Sequence, residues 1–176
     1  MAIRELEIER LAVGTPGDWE IKRFDLPISQ SQLISTTIAA PGINRETFLR
    51  QALGQERFFW QAAHGEVAFA GFGVAADLRA WGDGRFSSIQ QQATALFTNA
   101  ILENSGQRLA APRLFGGFAF RPDFTPDNTW AVFHPAQFIL PHYQLTQSNS
   151  ESWLTLNAVS SPDDNPTDIL PQLQQA

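Results

Sequence analysis

From Arg57 onward the chain reads as short apolar runs whose spacing switches between the strand and helix periods. Arg57-Phe-Phe-Trp-Gln-Ala-Ala63 and Glu66-Val-Ala-Phe-Ala-Gly-Phe-Gly-Val-Ala75 are strand-like, and the His64-Gly65 link between them predicts a tight hairpin. In the second run Val67 and Phe69 face one way while Ala68, Ala70 and Phe72 face the other, so this strand should be central and covered on both sides. Trp81-Gly-Asp-Gly-Arg85 is a turn. Residues 87–103 then carry Ile89, Ala93, Leu96, Phe97, Ala100 and Ile101 at helical spacing, with Gln90, Gln91, Thr94, Thr98 and Asn99 mostly opposite. Ser87 with Gln90 forms a capping-box pattern, and Asn104-Ser-Gly106 is a stop signal.

The flanks follow the same logic. Glu5-Leu-Glu-Ile-Glu9 alternates acid with aliphatic, as an edge strand would, and Trp19 to Leu26 alternates until Pro27. Asn44 can cap a helix of two turns whose face is Phe48, Leu49, Ala52 and Leu53, with Gly54 as its left-handed end. Past the long helix, strands are predicted at 113–120, 130–133, 138–145 and 153–158, with a proline-rich turn at 121–128. The sum is an α+β fold, a largely antiparallel sheet with a long amphipathic helix packed on it. Residues 1–158 read as one domain, and 159–176, polar and proline-containing with Asp163, Asp164 and Asp168, as a linker.

Composition narrows the chemistry. The 176 residues include 18 acidic and 12 basic side chains, a net charge of -6, so nucleic acid and anionic membranes are not expected partners. Without cysteine there is no disulfide, thiolate metal site or cysteine nucleophile. The N-terminus lacks the pattern of an export signal and no apolar run is long enough for a membrane span, which predicts a cytoplasmic protein.

Each chemical motif has a plain structural explanation. Gly71-Phe-Gly73-Val-Ala-Ala76 matches a relaxed dinucleotide fingerprint, but Asp77-Leu-Arg-Ala-Trp-Gly82 allows at most one helical turn after it. Close packing is the simpler use of those glycines. Gly116-Gly117 within an aromatic run reads as a bulge or a close approach. His64, His134 and His142 read as exposed turn histidines rather than a converging metal set. Asp77, Asp83, Asp123 and Asp127 flank turns, and Glu5, Glu7 and Glu9 form a row, all read as solvated. The five Trp and fourteen Phe read as core. No catalytic, cofactor-binding or metal-binding residue is assigned.

Pro112-Arg-Leu-Phe-Gly-Gly-Phe-Ala-Phe120, Trp130-Ala-Val-Phe133, Ala136 and Phe138-Ile-Leu-Pro141 together resemble the first half of the chorismate-binding enzymes, most closely the isochorismate synthases. Arg57-Phe-Phe-Trp60 and Ala70-Gly-Phe-Gly-Val-Ala75 stand in that family's order, so the likeness spans about residues 57–158. Anthranilate and aminodeoxychorismate synthases share the layout, but the Leu-Leu-Glu-Ser stretch usual in the former is missing; salicylate synthases stay open. The resemblance implies the isomerisation of chorismate to isochorismate, for menaquinone or a siderophore. It further implies a lysine that activates water, a glutamate that assists departure of the 4-hydroxyl, and Mg2+ on carboxylates. The lysine of that family lies in a Lys-Val-Val-Leu-Ala-Arg-like strand that this sequence lacks, and the role does not pass to Lys22, the one lysine here. The implied identity is the N-terminal part of an isochorismate synthase, inactive by itself, with no cofactor of its own and with apolar surface open to self-association. The rival from another class is a free-standing small-molecule or protein-binding module of the same fold.

Overall fold

The computed structural model describes residues 31–104, 106–121, 133–161, 164–165, 169 and 171. The runs predicted as strands at 5–9 and 19–26, the 130–133 run up to Val132, and the 121–128 turn past Arg121 lie outside these residues. Among the described residues these elements follow in chain order: β1 Gln32–Ala39, α1 Arg45–Gln51, β2 Arg57–Gln61, β3 Val67–Phe72, β4 Ala76–Ala80, α2 Arg85–Thr98, β5 Ile101–Glu103, β6 Phe115–Phe118, β7 Ala136–Leu140, β8 Tyr143–Ser148 and β9 Glu151–Ser160. The strands form a six-stranded sheet in the order β2-β3-β8-β9-β1-β5 and a three-stranded sheet in the order β4-β7-β6. Every pairing is antiparallel except β1 with β5. The α+β expectation therefore holds, with the strands divided between two sheets. No helix among the described residues is long and apolar enough to cross a membrane.

Several elements form for the reasons read from the sequence. Asn44 caps α1, its Oδ1 accepting from Thr47 N at 3.0 Å, and Gly54 at φ 86 turns the chain away. Of the expected α1 face, Ala52 is buried, while Leu53 is 72% exposed because the helix ends before it. β2 and β3 make the predicted hairpin, and β3 lies between β2 and β8 with Ala68, Phe69, Ala70 and Gly71 buried.

Other boundaries moved, each for a physical reason. The strand expected to run to Ala75 stops at Phe72, because Gly73 at φ 69 turns the chain into the second sheet. The stretch after it, expected to make at most one helical turn, is β4: Ala76, Leu78 and Ala80 point inward while Asp77 and Arg79 point out. The single strand expected at 138–145 is two strands in different sheets, since Pro141 has no N–H to continue a ladder. α2 begins two residues earlier than predicted and the Ser87 capping box does not form: Gly84 occupies the cap and Ser87 Oγ donates to Gly84 O. The helix also ends at Thr98, whose hydroxyl donates back to Thr94 O at 2.6 Å, a contact that competes with the helical ladder. Ile101–Glu103 instead pairs with β1, and Asn104 at φ 55 ends that strand. No strand is predicted at β1, because Ser35, Thr36 and Thr37 make it look polar. β9 runs from Glu151 to Ser160, two residues beyond each end of the strand predicted at 153–158.

Leu78 and Ala80 of β4, Ala136 and Leu140 of β7, Ile89 and Leu96 of α2 and Leu33 of β1 form one buried core. α2 therefore sits on the small sheet, and Leu33 with Val159 joins that layer to the large sheet.

Candidate functional site

The most organised polar region lies on the face of the large sheet that carries Leu33. In register across five strands run Thr37, Thr155, Gln144, Gly71 and Phe58, so their positions share one face. Beside this row stands the pair Ser35 and Asn157. Ser35, Thr37, Gln144, Thr146, Thr155 and Asn157 are all buried, which is affordable only when their polar atoms are matched.

A strap before β6, residues 108–113, supplies the match. Gln144 Oε1 accepts from Arg113 N at 3.1 Å, and its Nε2 donates to Ala111 O at 3.1 Å and to Thr146 Oγ1 at 3.3 Å. Thr155 Oγ1 donates to Ala110 O and lies 3.1 Å from Thr37 Oγ1. Arg113 closes the strap from outside: its Nε and Nη2 donate to Leu109 O and Arg108 O, and its guanidinium lies 5.2 Å over the Phe69 ring. Phe115 packs on Phe58 and Phe69, with ring centroids 4.0 and 5.7 Å apart. The ring of Phe58 in turn fills the space over Gly71, where a Cβ would collide with it.

A second clasp holds the corner between the sheets. Asn157 Nδ2 donates to Pro141 O at 2.8 Å, Asn157 N donates to His142 O at 2.8 Å, and Asn157 Oδ1 accepts from Ser35 Oγ at 2.8 Å. His142 Nδ1 lies 2.9 Å from Asn157 O, which can only accept, so Nδ1 carries the proton. Burial holds the His142 pKa below the ordinary imidazole value, and the Asn157 contact pulls it part of the way back. The ring rests against Gly73, so the two crossings from sheet to sheet, at Gly73 and at Pro141, touch through His142. Burial likewise raises the Tyr143 pKa.

Ser35, Thr37, Gln144, Thr155 and Asn157 are matched to one another or to the strap and corner, which they hold in place. The candidates from the sequence are dispersed. Gly71 and Gly73 serve packing and a turn, with a strand and not a helix after them, so no phosphate-binding helix start exists there. Gly116 is pressed against the Gln137 carbonyl, whereas Gly117 has open space around it. His64 is exposed in the hairpin turn as expected, but His134 and His142 are not. His134 meets Trp81 edge-on at 5.3 Å and His142 is in the clasp. Asp77 pairs with Arg79 and accepts from Gln137 Nε2 at 3.1 Å on the outer face of the small sheet. Asp83 is exposed; Lys22, Asp123, Asp127, Glu5, Glu7 and Glu9 lie outside the described residues. Several aromatic rings read as core are on the surface, among them Trp60, Trp81, Phe86 and Phe120. Gln144 and Asn157 carry one signal in the sequence, a polar residue at an inward strand position, and it shows only once the strand's buried face is known.

Comparison with known proteins places this arrangement. The model of the family described as chorismate binding enzyme matches residues 21–176. The chain belongs to the chorismate-binding enzyme family. A salicylate biosynthesis isochorismate synthase of Pseudomonas aeruginosa is 33% identical over 82 residues, covering 47% of this chain and 16% of the relative. The menaquinone-specific isochorismate synthase of Escherichia coli resembles it with a TM-score of 0.46 and 13% identity, over 81% of this chain and 28% of the other. The chain thus spans well under a third of the length of these relatives. The described residues of these motifs lie on or beside β2, β3, β6 and β7 and on the link into β8.

Proposed function

We propose that the chain is the N-terminal part of an isochorismate synthase, acting on chorismate as one portion of a longer enzyme. The observation that carries this is the family match over residues 21–176, joined by 33% identity over 82 residues to an enzyme of that name. On this reading the satisfied strap and corner are scaffold, and the lysine, the glutamate and the substrate contacts belong to the portion of the enzyme beyond this one. Magnesium is expected of the whole enzyme. Among the described residues no three of His, Asp and Glu gather in one place, so they do not suit a magnesium site, and no catalytic step is routed through them.

The test is twofold. The coding sequence beyond codon 176 should continue in frame to a Lys-Val-Val-Leu-Ala-Arg-like strand, and the 176-residue chain with chorismate and magnesium should form no isochorismate above the uncatalysed rate. Turnover by the chain itself would overturn the assignment of the catalytic groups elsewhere. A binding module would instead show a stop codon and saturable binding of another ligand.

Self-association belongs to the same reading. Among the described residues β2 is an edge strand, with Phe59 and Trp60 exposed, a template for unwanted pairing. Sedimentation velocity should show a concentration-dependent shift to larger species, and a clean monomer at every concentration would remove this part.

A further inference from the structure

Among the described residues the large sheet ends at β2 on one side and at β5, a strand of 3 residues, on the other. The β2–β3 ladder fixes which backbone groups β2 turns outward. Ala62 N donates to Val67 O, Gly73 N donates to Glu56 O, and the register between these bonds is unbroken. Antiparallel bonds alternate along a strand, so Phe58 and Trp60 bond to β3 while Arg57, Phe59 and Gln61 present their N–H and C=O away from the sheet. None of these outward groups meets a partner among the described residues. β2 also lacks the proline, lysine or bulge by which edge strands discourage pairing.

The side chains of this edge are aromatic on both faces. Phe58 and Trp60 share the face that carries the strap, where Phe58 packs on Phe115 at 4.0 Å and Trp60 on Phe69 at 5.8 Å. Phe59 lies on the opposite face, with the Arg45 guanidinium 4.7 Å over its ring. Phe59 is 46% exposed and Trp60 52%. The rings beneath Phe58 and Trp60 already hold them in place, so docking against them costs little side-chain freedom.

We infer that β2 is the contact edge of a homodimer, in which it pairs antiparallel with β2 of a second copy about a two-fold axis at Phe59. The edge is complementary to itself in that register. Phe59 stands opposite Phe59 of the partner subunit and Arg57 opposite Gln61 of the partner subunit, so every outward N–H and C=O of both strands is matched. A slide of two residues leaves some of them unmatched. Phe58 faces Trp60 of the partner subunit at a site without hydrogen bonds, where cross-strand side chains come closest and aromatic pairs contribute most, and the two-fold axis makes that pair twice. Like charges are not directly opposed. The opposing effect is the approach of the two Arg45 guanidinium groups, which salt screens. Any extended strand could meet the backbone groups; the match of the side chains to their own copies is what selects a second copy. The inference rests on the self-association proposed above, which it narrows to one edge and one partner, and it does not depend on the isochorismate reaction.

The experiment is sedimentation of the full chain and of three variants across a range of concentrations. The parent should pass from a mass of 19.5 kDa to twice that and stop there. Phe59→Lys and Phe59→Glu each set like charges against each other at the axis, so each alone should dimerise about tenfold more weakly. Mixed, they should recover the dimer as a heterodimer, because residue 59 meets its own copy in this register and in no other. Gln61→Pro is the third arm: it removes an outward N–H and none that bonds to β3, so the chain keeps its fold and its exposed rings but should lose the dimer. Dimers that survive Gln61→Pro, or charged variants that fail to pair when mixed, would overturn the β2 contact while leaving self-association by another surface. A monomer at every concentration, with β2 covered by another part of a longer enzyme, would overturn both. None of these results bears on the chorismate reading, which the coding sequence and the activity assay test separately.

Discussion

Asn157 illustrates how much a single buried polar residue can hold. Its side chain joins Ser35 of β1 to the Pro141 carbonyl, and its backbone takes both the carbonyl and the ring of His142. Asn157→Leu keeps the volume but strands the Ser35 hydroxyl and the Pro141 carbonyl in the interior. Urea unfolding should therefore show a loss of about 2–6 kcal/mol, from two unsatisfied groups at roughly 1–3 kcal/mol each. Ser35→Ala, which leaves Asn157 its bond to Pro141, should cost less. His142 adds a pH dependence. The unfolded imidazole takes a proton as pH falls through its ordinary value, while the folded one, held lower by burial, takes it later. Its contribution to stability is thus intact above the ordinary value and is lost as pH falls from there through the folded pKa. Thermal melts from pH 8 down to 5 should show a smaller acid-side decline for His142→Gln than for the parent chain, and equal slopes would refute this role.

At the level of elements, β6 gives the clearest contrast. Gly116 and Gly117 are adjacent in sequence, yet only Gly116 faces the Gln137 carbonyl of β7, where a Cβ has no room. Gly116→Ala should destabilise by about 1–3 kcal/mol through forced separation of the strands, whereas Gly117→Ala should change stability by about 0.5 kcal/mol or less. Similar effects at both positions would mean that the pair acts through chain flexibility and not through packing. The same element-level view explains which boundaries were legible. The α1 cap and the β2–β3 hairpin depend on neighbours within a few residues, so Asn44, Gly54 and Gly65 announce them. The end of α2 depends on β1, more than sixty residues away in sequence, whose free edge takes up Ile101–Glu103; the apolar spacing continues past Thr98 and hides the switch.

For the whole molecule, two sheets meet at a corner made by Gly73 and Pro141, and the strap at 108–113 lies over the larger one. Membership of the chorismate-binding enzymes follows from this chain's match to the family over residues 21–176, and the expectation drawn from the Pro112 to Phe120 motif agrees with it. What the sequence determined by itself was local: the α+β class, the capped helix, the hairpin, the covered central strand and the absence of cysteine chemistry, since each rests on spacing or on residue type within a short window. Only the tertiary structure decided that Ser35, Thr37, Gln144, Thr155 and Asn157 form a matched buried layer, because each satisfies its polar atoms with partners that are distant in sequence. It alone also left Arg85 buried without an anion among the described residues. A charge at a turn reads as solvated until the fold closes over it, and whether a counter-charge comes with the closure is settled by packing across the chain and not by the neighbouring residues.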